Sequence, residues 1–371
     1  MAKILILANN DVGLYKFRKE LIERLLEVNE VHLALPYGDY VPNLIDMGCH
    51  FIDSPVNRRG TNPFSDFKLL LKYRRVINNI KPDIVLTYTI KPNIYGGLAC
   101  RISAIPYIVN ITGLGTAVEK NGPIQKLLIF LYKISLKKSK FVFFQNKSNE
   151  KFFLENNILN KNYKTIPGSG VNLSEYSLRE YPTDEVINFL FVARIMKEKG
   201  IEEYLEAAQF IRNKYTNTRF HILGFCEDNY EHRLSELHDS GVIIYHGMQK
   251  NVRDYYEIAH CTVHPTFYPE GMSNVLLESA AMGRPIITTD RSGCREIVDD
   301  TVNGFIVKQQ DGKDLIDKIE MFLELDHITK KRMGIMGREK VEKEFDRRYV
   351  VESYLTEIDN VLGSREWIGK K

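Results

Sequence analysis

Short β-rich runs alternate with helical stretches along the whole chain, and they do so in two separate series. In the first series residues 3–8 read as a strand and 15–28 as an amphipathic helix. Strand-like runs return at 30–35, 83–88, 106–111 and 140–145, with helical segments between most of them. Alternation of this kind predicts a parallel sheet covered on both faces by helices. The pattern pauses at Pro167-Gly168-Ser169-Gly170-Val171-Asn172 and stays irregular to Pro182-Thr183-Asp184, a Gly- and Pro-rich stretch that fits a linker. A second series then offers strands at 186–193, 219–223, 242–246, 261–264, 285–289 and 304–307. The reading is two doubly wound α/β domains, 1–175 and 176–345. A helical tail over 346–371 is expected to return towards the first domain.

Length agrees with two domains: the chain has 371 residues, and a domain typically takes about 100–200. Hydrophobic residues make up 44% and charged residues 27%, which excludes a wholly disordered or fibrous chain. The longest apolar run, 127–132, is too short to cross a bilayer. The first residues do not read as a signal peptide, because Asn9, Asn10 and Asp11 follow at once on the apolar start. Five scattered cysteines form no metal knuckle or redox pair, so a reduced, cytoplasmic protein is expected.

The net charge of +3 conceals an asymmetry. Residues 1–175 carry 24 Lys and Arg against 14 Asp and Glu; the remainder carries 27 against 34. A basic first half suggests an anionic partner there: nucleic acid, a membrane surface or a phosphorylated substrate. No helix-turn-helix, zinc or RNA-binding signature supports the first of these. From Lys120 to Lys151 there are eight lysines and a single acidic residue, Glu150. Within that span a helical stretch from Lys126 to Lys138 combines a broad apolar surface with lysines, which suits an anionic membrane interface. A second basic group comprises Arg58, Arg59, Lys68, Lys72, Arg74, Arg75 and Lys81. A core helix with a charged solvent face explains the apolar positions equally well.

In open α/β sheets ligands bind beyond the carboxyl ends of the strands, so the loops there matter most. The stretch from His264 to Gly283 reads strand, tight loop, helix. Gly271 permits close backbone approach, and Ser273 or Asn274 can cap the helix. First-turn N–H groups at such a place suit a phosphate. Glu270 in the loop and Glu278 inside the helix can address two parts of one ligand, such as a sugar hydroxyl and a ribose hydroxyl. Spacing alone is equally compatible with a capped surface helix carrying two solvated glutamates. After another strand, Arg194 offers a guanidinium fork and Lys199 a point charge for phosphate oxygens.

Ala193-Arg194…Lys199-Gly200, Gly224, Glu270-Gly271…Leu277-Glu278…Gly283-Arg284-Pro285, Gly293…Glu296-Ile297-Val298 and Asn303-Gly304 resemble the family 4 glycosyltransferases. Those are retaining enzymes with the GT-B fold, two Rossmann-like domains facing across a cleft. Within the family the chain is similar to bacterial enzymes that extend lipid-linked sugars for capsule, O-antigen or glycoprotein glycans, the galactosaminyl transferases among them. The resemblance implies that Arg194 and Lys199 neutralise the donor diphosphate and that Glu270 contacts the transferred sugar. It further implies that Glu278 holds the ribose and that Gly271, Met272, Ser273 and Asn274 hold sugar hydroxyls and diphosphate. Glu270, Arg194 and Lys199 would then be catalytic. It implies a UDP-sugar donor, a polyprenyl-diphosphate-linked acceptor, a place at the inner face of the cell membrane, and no metal or other cofactor. No Asp-x-Asp pair occurs in the chain.

The first half departs from the family pattern. Where relatives carry a Gly-rich loop after the first strand, this chain offers Gly13 alone, expected on the donor side. Where many carry a His before a Gly, it reads Asn110-Ile111-Thr112-Gly113. A histidine base is absent there. Retaining transfer on one face of the sugar can proceed without one, with the leaving phosphate oxygen accepting the acceptor's proton. Asn110 and Thr112, and Lys91 after a neighbouring strand, are candidate acceptor-side contacts. A nucleotide-sugar epimerase or hydrolase of the same fold, or a non-catalytic glycan-assembly subunit, would carry the same donor motifs. A dinucleotide oxidoreductase fits poorly, because no Gly-x-Gly-x-x-Gly follows the first strand.

Overall fold

A computed structural model describes residues 1–56, 62–115, 122–159 and 162–363. Among them the chain divides into two compact units, Met1–Ser169 with Arg348–Lys371, and Gly170–Arg347. The divisions fall six residues before the expected first boundary and two after the second. The chain changes unit where Val171 and Phe345 exchange a backbone bond of 2.8 Å, and Arg347 N–H donates back to the Val171 carbonyl at 3.1 Å. The irregular stretch 167–184 therefore lies mostly inside the second unit instead of linking the two.

The first unit is a seven-stranded parallel sheet in the order β3-β2-β1-β4-β5-β6-β7. Its strands are β1 (Lys3–Leu7), β2 (Glu30–Leu35), β3 (His50–Asp53), β4 (Ile84–Tyr88), β5 (Tyr107–Ile111), β6 (Phe141–Phe144) and β7 (Tyr163–Thr165). Helices α1 (Asp11–Leu26), α2 (Val41–Asp46), α3 (Pro63–Ile80), α4 (Gly97–Ser103), α5 (Pro123–Leu136) and α6 (Lys147–Glu155) connect them. A π-turn at Pro92–Gly96 precedes α4. Strands buried on both faces must be continuously apolar, and β4 and β5 are buried at every position. One face packs α1 with Ile4, Ile6, Leu33 and Ile84; the other packs α3, α4 and α5 on Leu5, Leu7, Val85 and Val109.

The second unit is a six-stranded parallel sheet, β10-β9-β8-β11-β12-β13. Its strands are β8 (Ile187–Val192), β9 (Thr218–Leu223), β10 (Ile244–Tyr245), β11 (Cys261–His264), β12 (Ile286–Thr289) and β13 (Gly304–Val307). Its helices are α7 (Ile201–Lys214), α8 (Glu231–Asp239), α9 (Arg253–Ile258), α10 (Asn274–Ala281), α11 (Gly312–Glu324) and α12 (His327–Glu344). The last helix, α13 (Arg347–Leu362), seats Val350, Tyr354 and Ile358 in the core of the first unit.

Among the described residues no helix is long and apolar enough to cross a membrane. The five cysteines are free thiols.

Candidate functional site

The second unit gathers the residues expected on the donor side at the carboxyl ends of β8, β11 and β12. Two glycines make that convergence possible. Gly224 follows β9 at φ +146°, and a Cβ there would lie 1.7 Å from the Ala193 carbonyl oxygen. Gly200 enters α7 at φ +78°, and its Cβ would lie 2.2 Å from the Pro265 carbonyl. Only glycine allows the strand ends to close this tightly while adopting positive φ.

The loop after β11 is tied to the turn before α7. The Glu198 carbonyl accepts from the Phe267 and Tyr268 amides at 2.9 Å each and from Thr266 Oγ1 at 3.2 Å. This brings Lys199 to Glu270: the ammonium donates to Glu270 Oε1, although 71 residues separate them. Lys199 is 8% exposed, so its charge is desolvated and needs that carboxylate. Arg194 donates through Nη1 to Glu227 Oε2. The Tyr268 ring lies beneath both cations, 5.4 Å from Arg194 Cζ and 4.9 Å from Lys199 Nζ, where a π-face attracts positive charge.

Ser273 sits at the N-cap of α10, yet its side chain makes no capping bond. The expected Ser273 or Asn274 side-chain cap is therefore not formed. Ser273 N–H instead donates to the Gly293 carbonyl at 2.8 Å, and Gly293 N–H donates to Glu296 Oε2 at 2.7 Å. The loop after β12 thereby packs on the turn containing Gly271 and Met272, which are themselves buried. Glu278, in the second turn of α10, accepts from Tyr256 Oη at 3.2 Å. Burial first, and the Glu278 charge second, holds the Tyr256 phenol well above its ordinary range. Tyr176 is raised by the same two causes.

His264, the last residue of β11, is 2% exposed. Neither ring nitrogen has a hydrogen-bond partner. Burial, reinforced by Lys199, pushes it down to about 3. His221 is pushed down to about 4 by burial, then by His246 and Arg219. Each imidazole stays neutral in the fold while the unfolded chain takes up protons near 6.5. Stability is therefore full above pH 6.5 and falls as pH drops towards 4, by about 1.4 kcal/mol per pH unit for each group. Urea titrations across that window test this: His264→Leu should take about 1.4 kcal/mol per pH unit off the slope, and an unchanged slope would contradict it.

The other predicted residues lie in the first unit. Gly13 is in the first turn of α1, and its amide donates to the Asn10 side chain at 2.6 Å. Asn110 is 1% exposed at the end of β5. Its carbonyl accepts from Asn93 Nδ2 at 2.8 Å, while its own amide group has no partner. Thr112 follows, half-buried; the Gln145 amide, in its hydrogen-bonding orientation, donates to the Thr112 carbonyl at 3.2 Å. Lys91 is paired: Asp66 accepts from its ammonium at 2.6 Å and from Tyr95 Oη at 2.9 Å. Arg58, Arg59 and Lys120 lie outside the described residues.

Tyr268, Glu227 and Tyr256 escaped the sequence reading. Tyr268 carried a signal, since it sits inside the strand–loop–helix stretch. Glu227 and Tyr256 carried none, because only the fold brings them to Arg194 and Glu278. Among the described residues, no three His, Cys, Asp or Glu side chains gather as a metal-binding set.

Two parallel α/β units, the second with an Arg–Lys pair, a Glu-bearing loop and a helix start at its strand ends, have the architecture of the GT-B glycosyltransferases. The family model for glycosyl transferases group 1 matches residues 179–340, and that for glycosyl transferase 4-like domains matches 3–146. The two matches together span most of the chain, which is a glycosyltransferase carrying both matched domains. It is 26% identical to the N,N'-diacetylbacillosaminyl-diphospho-undecaprenol alpha-1,3-N-acetylgalactosaminyltransferase of Campylobacter jejuni, over 97% of this chain and 99% of that protein. It is 28% identical to the capsular polysaccharide biosynthesis glycosyltransferase CapM of Staphylococcus aureus, covering 89% and 90%. Among solved structures, Anabaena Alr3699/HepE in complex with UDP and glucose superposes with a TM-score of 0.79 at 15% identity, covering 97% and 100%. A Rickettsia africae glycosyltransferase superposes with 0.80 at 20% identity, covering 98% and 99%.

Proposed function

We propose that this glycosyltransferase moves a hexose, N-acetylhexosamine or uronic acid residue from a UDP-sugar to a polyprenyl-diphosphate-linked saccharide, with retention at the anomeric carbon, in bacterial surface glycan synthesis. The observation that carries the reading is the buried Lys199–Glu270 pair beside the uncapped start of α10. A cation already desolvated and preorganised stabilises charge developing on a departing diphosphate far better than a solvated one. In this reading Lys199 and Arg194 take the diphosphate oxygens. Amides of Gly271, Met272 and Asn274, with the Ser273 hydroxyl, hold the phosphate and sugar hydroxyls, and Gly13 borders the donor. Glu270 contacts the transferred sugar and Glu278 the ribose. The leaving phosphate oxygen accepts the acceptor's proton, so no histidine base is needed at Asn110. The unpartnered Asn110 amide and Thr112 are acceptor-side contacts, and Lys91 borders them through its pair with Asp66. No metal takes part: Arg194 and Lys199 supply the positive charge. The undecaprenol-linked acceptor in one relative's name supports a place at the inner face of the cell membrane, with the surface between Lys126 and Lys138 touching anionic lipid.

The experiment is a donor screen read as nucleoside diphosphate release, with and without a short-chain polyprenyl-diphosphate saccharide and with EDTA throughout. Release should require the acceptor and yield an axial linkage at the transferred sugar's anomeric carbon when the donor is axial. Equal turnover of the donor alone would favour an epimerase or hydrolase, and binding without turnover a non-catalytic subunit.

A further inference from the structure

On the first unit, α3 and α5 lie on the same sheet face, on either side of the π-turn and α4. Asp66 of α3 reaches Lys91, just before the π-turn, and Tyr95 within it. The Ile134 carbonyl of α5 accepts from Arg101 of α4. In a parallel sheet both helices begin at the carboxyl edge of the strands, the edge that also holds Asn110. Their N-terminal halves turn large apolar side chains outward. On α3, Phe64 is 81%, Phe67 59% and Leu71 47% exposed; on α5, Ile124 is 61%, Leu127 56% and Phe130 57% exposed. The spacings of three and four keep each set on one solvent-facing stripe, opposite the residues that enter the core. Soluble surfaces rarely gather apolar side chains in this way.

Charge selects the occupant. On α3 the exposed Lys68, Arg74 and Arg75 accompany the apolar stripe, and its one acidic residue, Asp66, is taken by Lys91. On α5 the exposed Lys126, Lys133 and Lys137 run alongside, and no Asp or Glu occurs from residue 120 to 149. A second copy of this face would meet its own positive charge. A nucleic acid backbone would offer nothing to the projecting phenylalanines. An anionic bilayer takes both, with basic side chains at the headgroups and aromatic rings below them.

We propose that the N-terminal halves of α3 and α5 form a two-helix foot that seats this enzyme on anionic lipid, with Phe64, Phe67 and Phe130 inserted into the interface. It extends the α5 contact of the functional reading and rests on the lipid-linked acceptor proposed there. The foot borders the strand edge where Asn110 and Thr112 lie, so a lipid-borne diphosphate would reach them without leaving the membrane.

The test is co-sedimentation of the full chain with phosphatidylcholine vesicles, with and without phosphatidylglycerol. Wild type should bind the anionic vesicles and release at high salt. The exposed double variant Phe64→Ser/Phe67→Ser should lose at least tenfold in partitioning. It should keep wild-type transfer to a water-soluble short-chain acceptor and lose transfer to acceptor embedded in vesicles. Ile102→Ser is the control: it removes a side chain 54% exposed at the far end of α4 and should bind as wild type. Unchanged partitioning of the Phe64/Phe67 variant, no preference for phosphatidylglycerol, or a change of oligomeric state in place of vesicle binding would each overturn the foot. Vesicle binding that follows the prediction without transfer to any lipid-linked saccharide would overturn the acceptor reading and leave the foot standing.

Discussion

Lys199→Ala should lower kcat/KM about 100- to 1000-fold while the protein stays folded. Lys199 is nearly buried, held by Glu270 and backed by the Tyr268 ring. A cation so placed needs no rearrangement when negative charge develops on the leaving diphosphate, and a solvent molecule in its place must reorganise. The same charge change two residues away gives the control. Lys197 is exposed in the short turn before Gly200, and Lys197→Ala should stay within about twofold of wild type, as surface changes usually do. Steady-state kinetics on both variants, with circular dichroism to verify folding, decide it. Equal activity of Lys199→Ala and wild type would remove the chemical role assigned to this pair.

The second large effect is structural. Arg284→Met should cost about 3 kcal/mol or more. In a unit of this size that lowers the melting temperature by about 10 °C. Arg284 is fully buried, and among the described residues no carboxylate forms an ion pair with it. Its guanidinium serves as a bracket for backbone carbonyls: Nε donates to Tyr256 at 2.7 Å, and Nη2 to Glu180 at 2.8 Å and Glu257 at 3.1 Å. The Tyr181 ring covers it at 5.7 Å. Burial pushes the guanidinium down to about 10, so it keeps its charge at neutral pH. Methionine matches the stem but strips a donor from three carbonyls, of which that of Tyr256 keeps the Ala259 amide at 3.2 Å. Lysine would reach only part of the set, because it lacks the planar fork, and should fall between the two. Differential scanning calorimetry reads the result; a melting temperature within about 2 °C of wild type would show the bracket to be dispensable.

Legibility in the sequence followed burial. β2 and β11, and the buried edge strand β13, fall where apolar runs placed them, and the other interior strands differ by a residue or so at their ends, because a strand covered on both faces must be apolar throughout. The two edge strands of the first sheet were not read. β3 is His-Phe-Ile-Asp, exposed at both ends, and β7 has three residues with Lys at its centre; neither carries a period. α1 begins at Asp11, four residues before its predicted start, because Asn10 caps it through the Gly13 amide.

In the candidate site, spacing and the family resemblance singled out Arg194, Lys199, Glu270 and Glu278, each next to a strand end or inside a short helix. It could not find what each one touches. Lys199 meets Glu270 across 71 residues, and Lys91 meets Asp66 across 25. Those pairings come from the sheet order, which places β8 beside β11 and α3 beside the turn after β4. The empty ring nitrogens of His264 and the unpartnered Asn110 amide are likewise properties of burial, invisible in a string of letters.

The central claim is that the second unit holds a nucleotide diphosphate between Lys199 and Glu278. The most direct measurement is calorimetric titration of UDP into wild type, Lys199→Ala and Glu278→Ala. The account predicts one site in wild type and at least tenfold weaker binding in each variant, the loss of one charged hydrogen bond apiece. The same affinity in all three proteins would contradict it.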